Sequence, residues 1–458
     1  MSECVVRGGQ IVQARGVVSA DVAIEDGRIS AIGPELTGAA REIDAQGLTV
    51  FPGVIDDHLH FNEPGRTEWE GAATGSRALA AGGGTAFFDM PLNSTPCTVD
   101  RPAFEEKRAA LERASIADFA LWGGIVPGNL SELAPLAESG VIGFKAFLCD
   151  SGLPEFPRAD DLTLYEGMRE AARLGLPVAV HAESEAITSR LTRRAREAGR
   201  TSARDYLDSR PVFAEVEAIQ RAALLAREAG CKLHIVHISS GRGVAAALEA
   251  RAMGTDIAIE TCAHYLFFTE EDVLRLGAIA KCAPPLRDRA EFDKLWAHVL
   301  GGIVDVIASD HSPSDPSMKT GDDFFAIWGG IAGVQSTLAV LLEAGHFQRG
   351  LRLERIAELT AGYPARRFAL QGKGSITVGN DADLTLVDMN GQKTLDPEFL
   401  WQKHPISPYT GKSFRGTIRR TMLRGATIFD HDEITVKSGG QLLRPKARKT
   451  YATSGIHP

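Results

Sequence analysis

The run GVIDDHLHF at residues 53–61 is the first of eight short apolar segments that organise the middle of the chain. The others are GTAFFDMP (84–91), ADFALWGGIV (117–126), GVIGFKAFL (140–148), LPVAVHAE (176–183), KLHIVHISS (232–240), DIAIETCAH (256–264) and VDVIASDHS (304–312). Each has the length and apolar content of a buried strand. Segments of helical period follow most of them, at 68–82, 101–114, 162–175, 216–230 and 243–254. Eight strand-then-helix units within roughly 300 residues is the proportion of a (β/α)₈ barrel. The rival α/β layout, a doubly wound open sheet, is disfavoured because no GxGxxG opens a helix after the first strand.

Outside this core the pattern changes. Residues 5–34 alternate β-branched residues with Gly and Asp turns, and the same texture returns at 374–389 and 414–430. Neither part is large enough to fold alone, so the two ends are expected to combine into one antiparallel β module. The expected division is 1–51 and 371–446 for that module, 52–370 for the barrel and 447–458 for a C-terminal tail.

The bulk properties bound the function. A chain of 458 residues, 44% hydrophobic and 24% charged, can bury a large core. Fifty basic against fifty-nine acidic residues give a formal charge of −9, which argues against nucleic-acid or anionic-membrane partners. A small neutral substrate fits better. The basic cluster Arg444, Lys446, Arg448 and Lys449 reads as a solvated chain end. There is no uninterrupted apolar stretch of about 18 residues and no basic-then-apolar leader pattern at the start, so a cytoplasmic protein is expected. Six scattered cysteines without a CxxC pair suggest reduced thiols.

In such a barrel the chemistry gathers at the carboxyl ends of the strands. The first run ends in His58 and His60, the fourth carries Lys145, the fifth ends in His181, the sixth in His237 and the eighth in Asp310. Two histidines two apart leave a strand on one face and can grip one ion together, although a lone HxH also suits histidines that merely hydrogen-bond. Packing alone would have to gather four imidazoles and two charged groups at one barrel mouth, each needing partners to offset its burial. His234, three before His237, is expected to face the other side of its strand, and His264 and His311 to lie in loops or support the site. His298, His346, His404, His431 and His457 read as ordinary helix, loop or tail positions.

Lys145 interrupts an apolar run, where the ammonium is poorly solvated and its pKa falls. A neutral amine can combine with carbon dioxide, and the carbamate would bridge two divalent cations as a glutamate does. With that carbamate, Asp310 and a hydroxide offsetting two dications, the site carries +1. The alternative is a lysine that snorkels outward or pairs with an acid.

Taken together, His58-Leu-His60, Lys145, His181, His237 and Asp310 resemble the ligand pattern of the cyclic amidases of the amidohydrolase superfamily, over nearly the whole chain. That group includes dihydroorotases, dihydropyrimidinases or hydantoinases, and allantoinases. The resemblance implies a small β-sandwich built from both termini and a binuclear centre. In it, His58 and His60 hold one ion, His181 and His237 the other, Lys145 bridges as N6-carboxylysine, and Asp310 ligates and relays the proton of a bridging hydroxide. Zinc suits these donors, and cobalt, manganese and iron share the preference. The stretches 61–85, 89–101, 143–152, KCAPPLR (281–287), ASDHSP (308–313) and WGGIAGVQ (328–335) are similar to the allantoinases in particular. This implies hydrolysis of allantoin to allantoate in purine and ureide catabolism.

By the same resemblance Cys282 and the backbone at Trp328 and Gly329 contact the substrate with Ser312 nearby, and the subunits form a homotetramer; Asn93, at a strand end, is a further candidate contact. Dihydroorotases carry an arginine two residues after HxH for a substrate carboxylate; Asn62 stands there, with Arg66 nearby, which disfavours an acidic ring. A hydantoinase or dihydropyrimidinase with the same site is the alternative, and a noncatalytic scaffold relative the third reading.

Overall fold

A computed structural model of the protein describes residues 2–446. The expected tail 447–458, with Arg448 and Lys449, lies outside the described residues.

Five strands open the chain: β1 (Ser2–Gln13), β2 (Gly16–Glu25), β3 (Arg28–Gly33), β4 (Ala39–Asp44) and β5 (Thr49–Pro52). Eight follow in the middle: β6 (Val54–Leu59), β7 (Gly84–Asp89), β8 (Asp118–Gly124), β9 (Gly143–Phe147), β10 (Val178–His181), β11 (Leu233–Ile235), β12 (Ile257–Cys262) and β13 (Val306–Ala308). Four close it: β14 (Leu384–Thr394), β15 (Ser413–Leu423), β16 (Ala426–Asp430) and β17 (Glu433–Ile434).

Strands β6 to β13 form one sheet in chain order with every neighbouring pair parallel. The ring closes just past the strand ends. His60 N–H donates to the His311 carbonyl at 2.8 Å and Asp310 N–H to that of His58 at 2.9 Å. All eight apolar runs contain one of these strands, and β6, β7, β8 and β12 are buried along their whole length, as strands covered on both faces must be. The helices Arg101–Ala114 and Asp161–Leu174 start on side-chain caps: Asp100 accepts from Ala103 N–H and Asp160 from Thr163 N–H, each offsetting an orphan donor of the first turn.

The two chain ends combine as expected in composition but not wholly in direction. They build a nine-stranded sheet in the order β17-β16-β15-β14-β5-β1-β2-β3, with β4 also on β1. The pairs β5–β14 and β14–β15 are antiparallel, whereas β1 pairs parallel with both β4 and β5. The antiparallel expectation is corrected there, because a period of two reports a strand and not its direction. β4 and β5 share one edge of β1, which bulges between Val6 and Gly9 to change partner. The sheet encloses its own core of Val6, Ile11, Val22, Ile24, Val50, Leu384, Leu386 and Met422. It is tied to the barrel through buried Lys373, whose Nζ lies 2.8 Å from Asp118 at the start of β8, 2.9 Å from Asp381 and 2.7 Å from Asp383.

Candidate metal centre and substrate cleft

At the carboxyl ends of the barrel strands lies a cleft of about 440 Å³. Its walls include His58, His60, Asn93, His181, His237, Cys282, Asp310, Ser312, Trp328 and Gly329. These residues come from six barrel units and from a loop far along the chain, so the fold gathers every candidate but one on the cleft surface. Lys145 is the exception. It sits beneath the floor with no accessible surface, its Nζ 5.2 Å over the Phe147 ring and without a hydrogen-bond partner. Burial lowers its pKa to about 8 against the opposing pull of Glu260 and Asp310.

The histidines are aimed by named acceptors. His58 Nδ1 is 2.8 Å from Glu260 Oε1, which leaves Nε2 facing Asp310 Oδ1 at 3.3 Å. His60 Nε2 approaches the same Asp310 oxygen at 3.5 Å, and donor atoms of these three residues lie within 4.8 Å of one another. On the other side His181 Nε2 is 3.0 Å from Glu183 Oε2, so Nδ1 is left to face His237 Nε2 at 2.9 Å. In His58 and His181 the nitrogen bound to Glu260 or Glu183 carries the proton, and the other presents its lone pair to the cleft. Burial also lowers the pKa values of His58, His181 and His237, favouring the neutral imidazoles that ligation requires. Asp310 is ionised: burial opposes this, but His58 and His60 hold its carboxyl well below the ordinary range.

His237 and Asp310 are both past the ends of their strands and both have positive φ, 42° and 43°. That explains a correction. His234 was expected to face away from His237, yet strand alternation stops at Ile235 and the turn at His237 brings it back over the barrel. His234 Nε2 and the His237 N–H consequently meet one carboxylate, Glu260, at 2.6 Å and 2.9 Å. His311 lies just past the end of β13, its Nδ1 accepting from Gly333 N–H at 3.1 Å. His264 is buried against Cys262 and Asp310, and neither ring nitrogen has a partner.

The residues fit a metal pair. Lys145 Nζ, His60 Nδ1 and His237 Nδ1 are buried polar atoms without partners, and four imidazoles converge with one carboxylate on the same cleft. A model of the amidohydrolase family matches residues 49–428, spanning the barrel and reaching into the final sheet. The chain belongs to the amidohydrolase family. Among amidohydrolases of known name, it is 92% identical to an allantoinase of Solibacter usitatus over all of both chains. An allantoinase of Rubrobacter xylanophilus is 57% identical, with 98% of each chain covered. Among solved structures, an L-hydantoinase (dihydropyrimidinase) from Arthrobacter aurescens superposes with a TM-score of 0.94 at 34% identity, covering 97% of this chain and all of that one. A dihydropyrimidinase from Brevibacillus agri reaches 0.91 at 28%, covering 98% and 100%.

The amidohydrolase site also contains groups that the motifs do not reveal. Glu260 and Glu183 lie against the histidines, and Arg210 forms an ion pair with Glu183. Lys281 is buried in the cleft wall, donating to the Phe324 carbonyl at 2.6 Å and also to that of Ile327. Arg66, the nearby cation, is engaged with Glu155, stacks 5.0 Å from the Trp69 ring and does not line the cleft. The cleft therefore keeps no free arginine at the position where a dihydroorotase would hold its substrate carboxylate.

Proposed function

We propose that this chain hydrolyses the ring amide of allantoin to allantoate, a step of purine and ureide catabolism. The observation that carries the reading is the full-length 92% identity to an allantoinase. Two divalent ions, zinc in the first instance, would be held by His58 and His60 and by His181 and His237. Lys145 would help to hold both ions as its carbamate, which forms when the amine takes up carbon dioxide with a new N–C bond and the loss of a proton. The ions supply a water nucleophile available at neutral pH and a polarised ring carbonyl.

The protein's own groups then direct the reaction. Asp310, ionised and facing His58 and His60, accepts a proton from the attacking water and returns it to the departing ring nitrogen as the C–N bond breaks. Cys282, Ser312, Trp328, Gly329 and Asn93 bound the space for the ring. Gly329 has open space where a Cβ would stand, so the backbone of residues 328–330 can approach a planar amide. The protein is taken to act as a cytoplasmic homotetramer divided at residues 52 and 371. Among the described residues no helix is long and apolar enough to cross a membrane.

The 0.94 TM-score to an L-hydantoinase favours one second reading, a hydantoinase with the same centre and a different ring. Comparing kcat/KM on allantoin, hydantoin, dihydrouracil and dihydroorotate, with zinc, cobalt or manganese in bicarbonate buffer, separates the two. A preference for allantoin of at least about tenfold, or about 1.4 kcal/mol in the transition state, is expected. A faster reaction on hydantoin or dihydrouracil assigns the second reading instead.

A further inference from the structure

Glu260 stands in the middle of β12, has no accessible surface and does not reach the cleft. A carboxylate so placed loses its hydration entirely and must be compensated by donors. Three donors surround it, and two belong to residues on opposite sides of the metal centre. Oε1 takes the His58 Nδ1–H at 2.8 Å and the His237 main-chain N–H at 2.9 Å, while Oε2 takes His234 Nε2–H at 2.6 Å. His58 comes from the first barrel strand and His237 from the turn after the sixth, so a single oxygen links two parts of the barrel wall.

We infer that Glu260 is a positioning residue that sets both halves of the metal centre together; this rests on the ligand assignment proposed above. Its contact with His58 fixes that ring's tautomer and direction, leaving Nε2 toward Asp310. Its contact with His237 acts on the backbone. The N–H it binds belongs to a residue at φ 42°, a conformation that a histidine adopts only when surrounding contacts hold it, and that turn aims the ring at His181. His234 completes the arrangement by fixing the plane of the carboxylate from below. His234 thereby acquires a role although it stays away from the cleft.

An ordinary buried acid would support the fold alone. The geometry gives a different consequence: removing the carboxylate weakens both ions together, since one oxygen serves a ligand of each. The test uses full-length parent, Glu260→Gln and Glu260→Asp proteins, the latter shorter by one methylene. Zinc stoichiometry and affinity are measured by chelator competition in bicarbonate buffer, with the visible absorption of the cobalt forms and the thermal midpoints of the metal-free proteins.

Both variants are expected to bind both ions about 10- to 100-fold more weakly, with an altered cobalt band, while the metal-free midpoints stay near the parent's. Affinities for both ions within twofold of the parent's and an unchanged band overturn the inference. So does weakening confined to one ion, or a fall in the metal-free midpoint with the parent's affinity retained by the folded protein. If Glu260→Asp does not fold, Glu260→Gln decides by the same criteria. A parent protein that binds no ion at all overturns the metal reading itself, which distinguishes that failure from failure of the role given to Glu260.

Discussion

Asp310 shows how a single position carries both chemistry and backbone constraint. It lies at φ 43°, in the left-handed region that asparagine and aspartate tolerate better than most side chains, and its oxygen faces His58 and His60. Asn keeps this backbone preference and the side-chain shape but removes the ability to accept and return a proton. Asp310→Asn is therefore expected to lower kcat at least about 100-fold while the circular dichroism spectrum and thermal midpoint remain close to the parent's. Retained turnover above about one part in 10² would assign the proton relay to another group. The side chains that could be named from spacing were those at strand ends. Glu260 and Glu183 escaped because their partners are set by the fold: Glu260 meets His58 across 202 positions of sequence. The available signal was the same as for Lys145, a charge interrupting an apolar strand, in IAIETC.

At the scale of elements, the barrel strands were legible because eight apolar runs recur with helical segments between them, and each run contains its strand. Strand direction in the terminal sheet was not, since alternation in β1 is the same whether its neighbour runs up or down. Nor could the sequence convey how the wall at 324–330 is held. Lys281 Nζ donates to carbonyls of Phe324 and Ile327, Lys319 Nζ donates to Trp328 at 3.0 Å and Gly330 at 2.7 Å, and Gly330 N–H returns to the Lys281 carbonyl at 2.8 Å. Two lysine side chains thus hold the backbone that presents Trp328 and Gly329 to the cleft. Burial lowers the Lys281 pKa to about 7, and Lys281→Met removes its hydrogen bonds from that wall without touching the proposed ligands. Steady-state kinetics should show KM on the preferred substrate rising about tenfold with kcat within about threefold of the parent, the pattern of lost uniform binding. An unchanged KM would mean that Lys319 and packing suffice to hold the loop.

For the whole molecule, the question is what keeps a sheet assembled from both chain ends fixed to the barrel between them. Apolar contact supplies much of it, but the polar junction at Lys373 is buried, with only 2% of its side chain accessible and Asp118, Asp381 and Asp383 around its Nζ. Arg424 pairs with the same Asp118 oxygen as Lys373. Burial disfavours the ammonium, yet Asp383 and Asp118 outweigh it and raise its pKa above the ordinary lysine value. A folded pKa raised above the unfolded one stabilises fully below the unfolded value, about 10.4, and the benefit fades only as pH rises through the folded value. Between pH 6 and 9 the contribution of Lys373 should therefore be constant. Replacing it by Met leaves buried aspartates facing one another with only Arg424 on Asp118 and the more exposed Arg28 on Asp381 to offset them, a loss on the order of 3–5 kcal/mol. Denaturant unfolding of Lys373→Met beside the parent should show that deficit undiminished across pH 6 to 9, whereas a deficit that shrinks steeply toward pH 9 would mean that Lys373 loses its proton in the folded protein and that the junction is held by Arg424 instead.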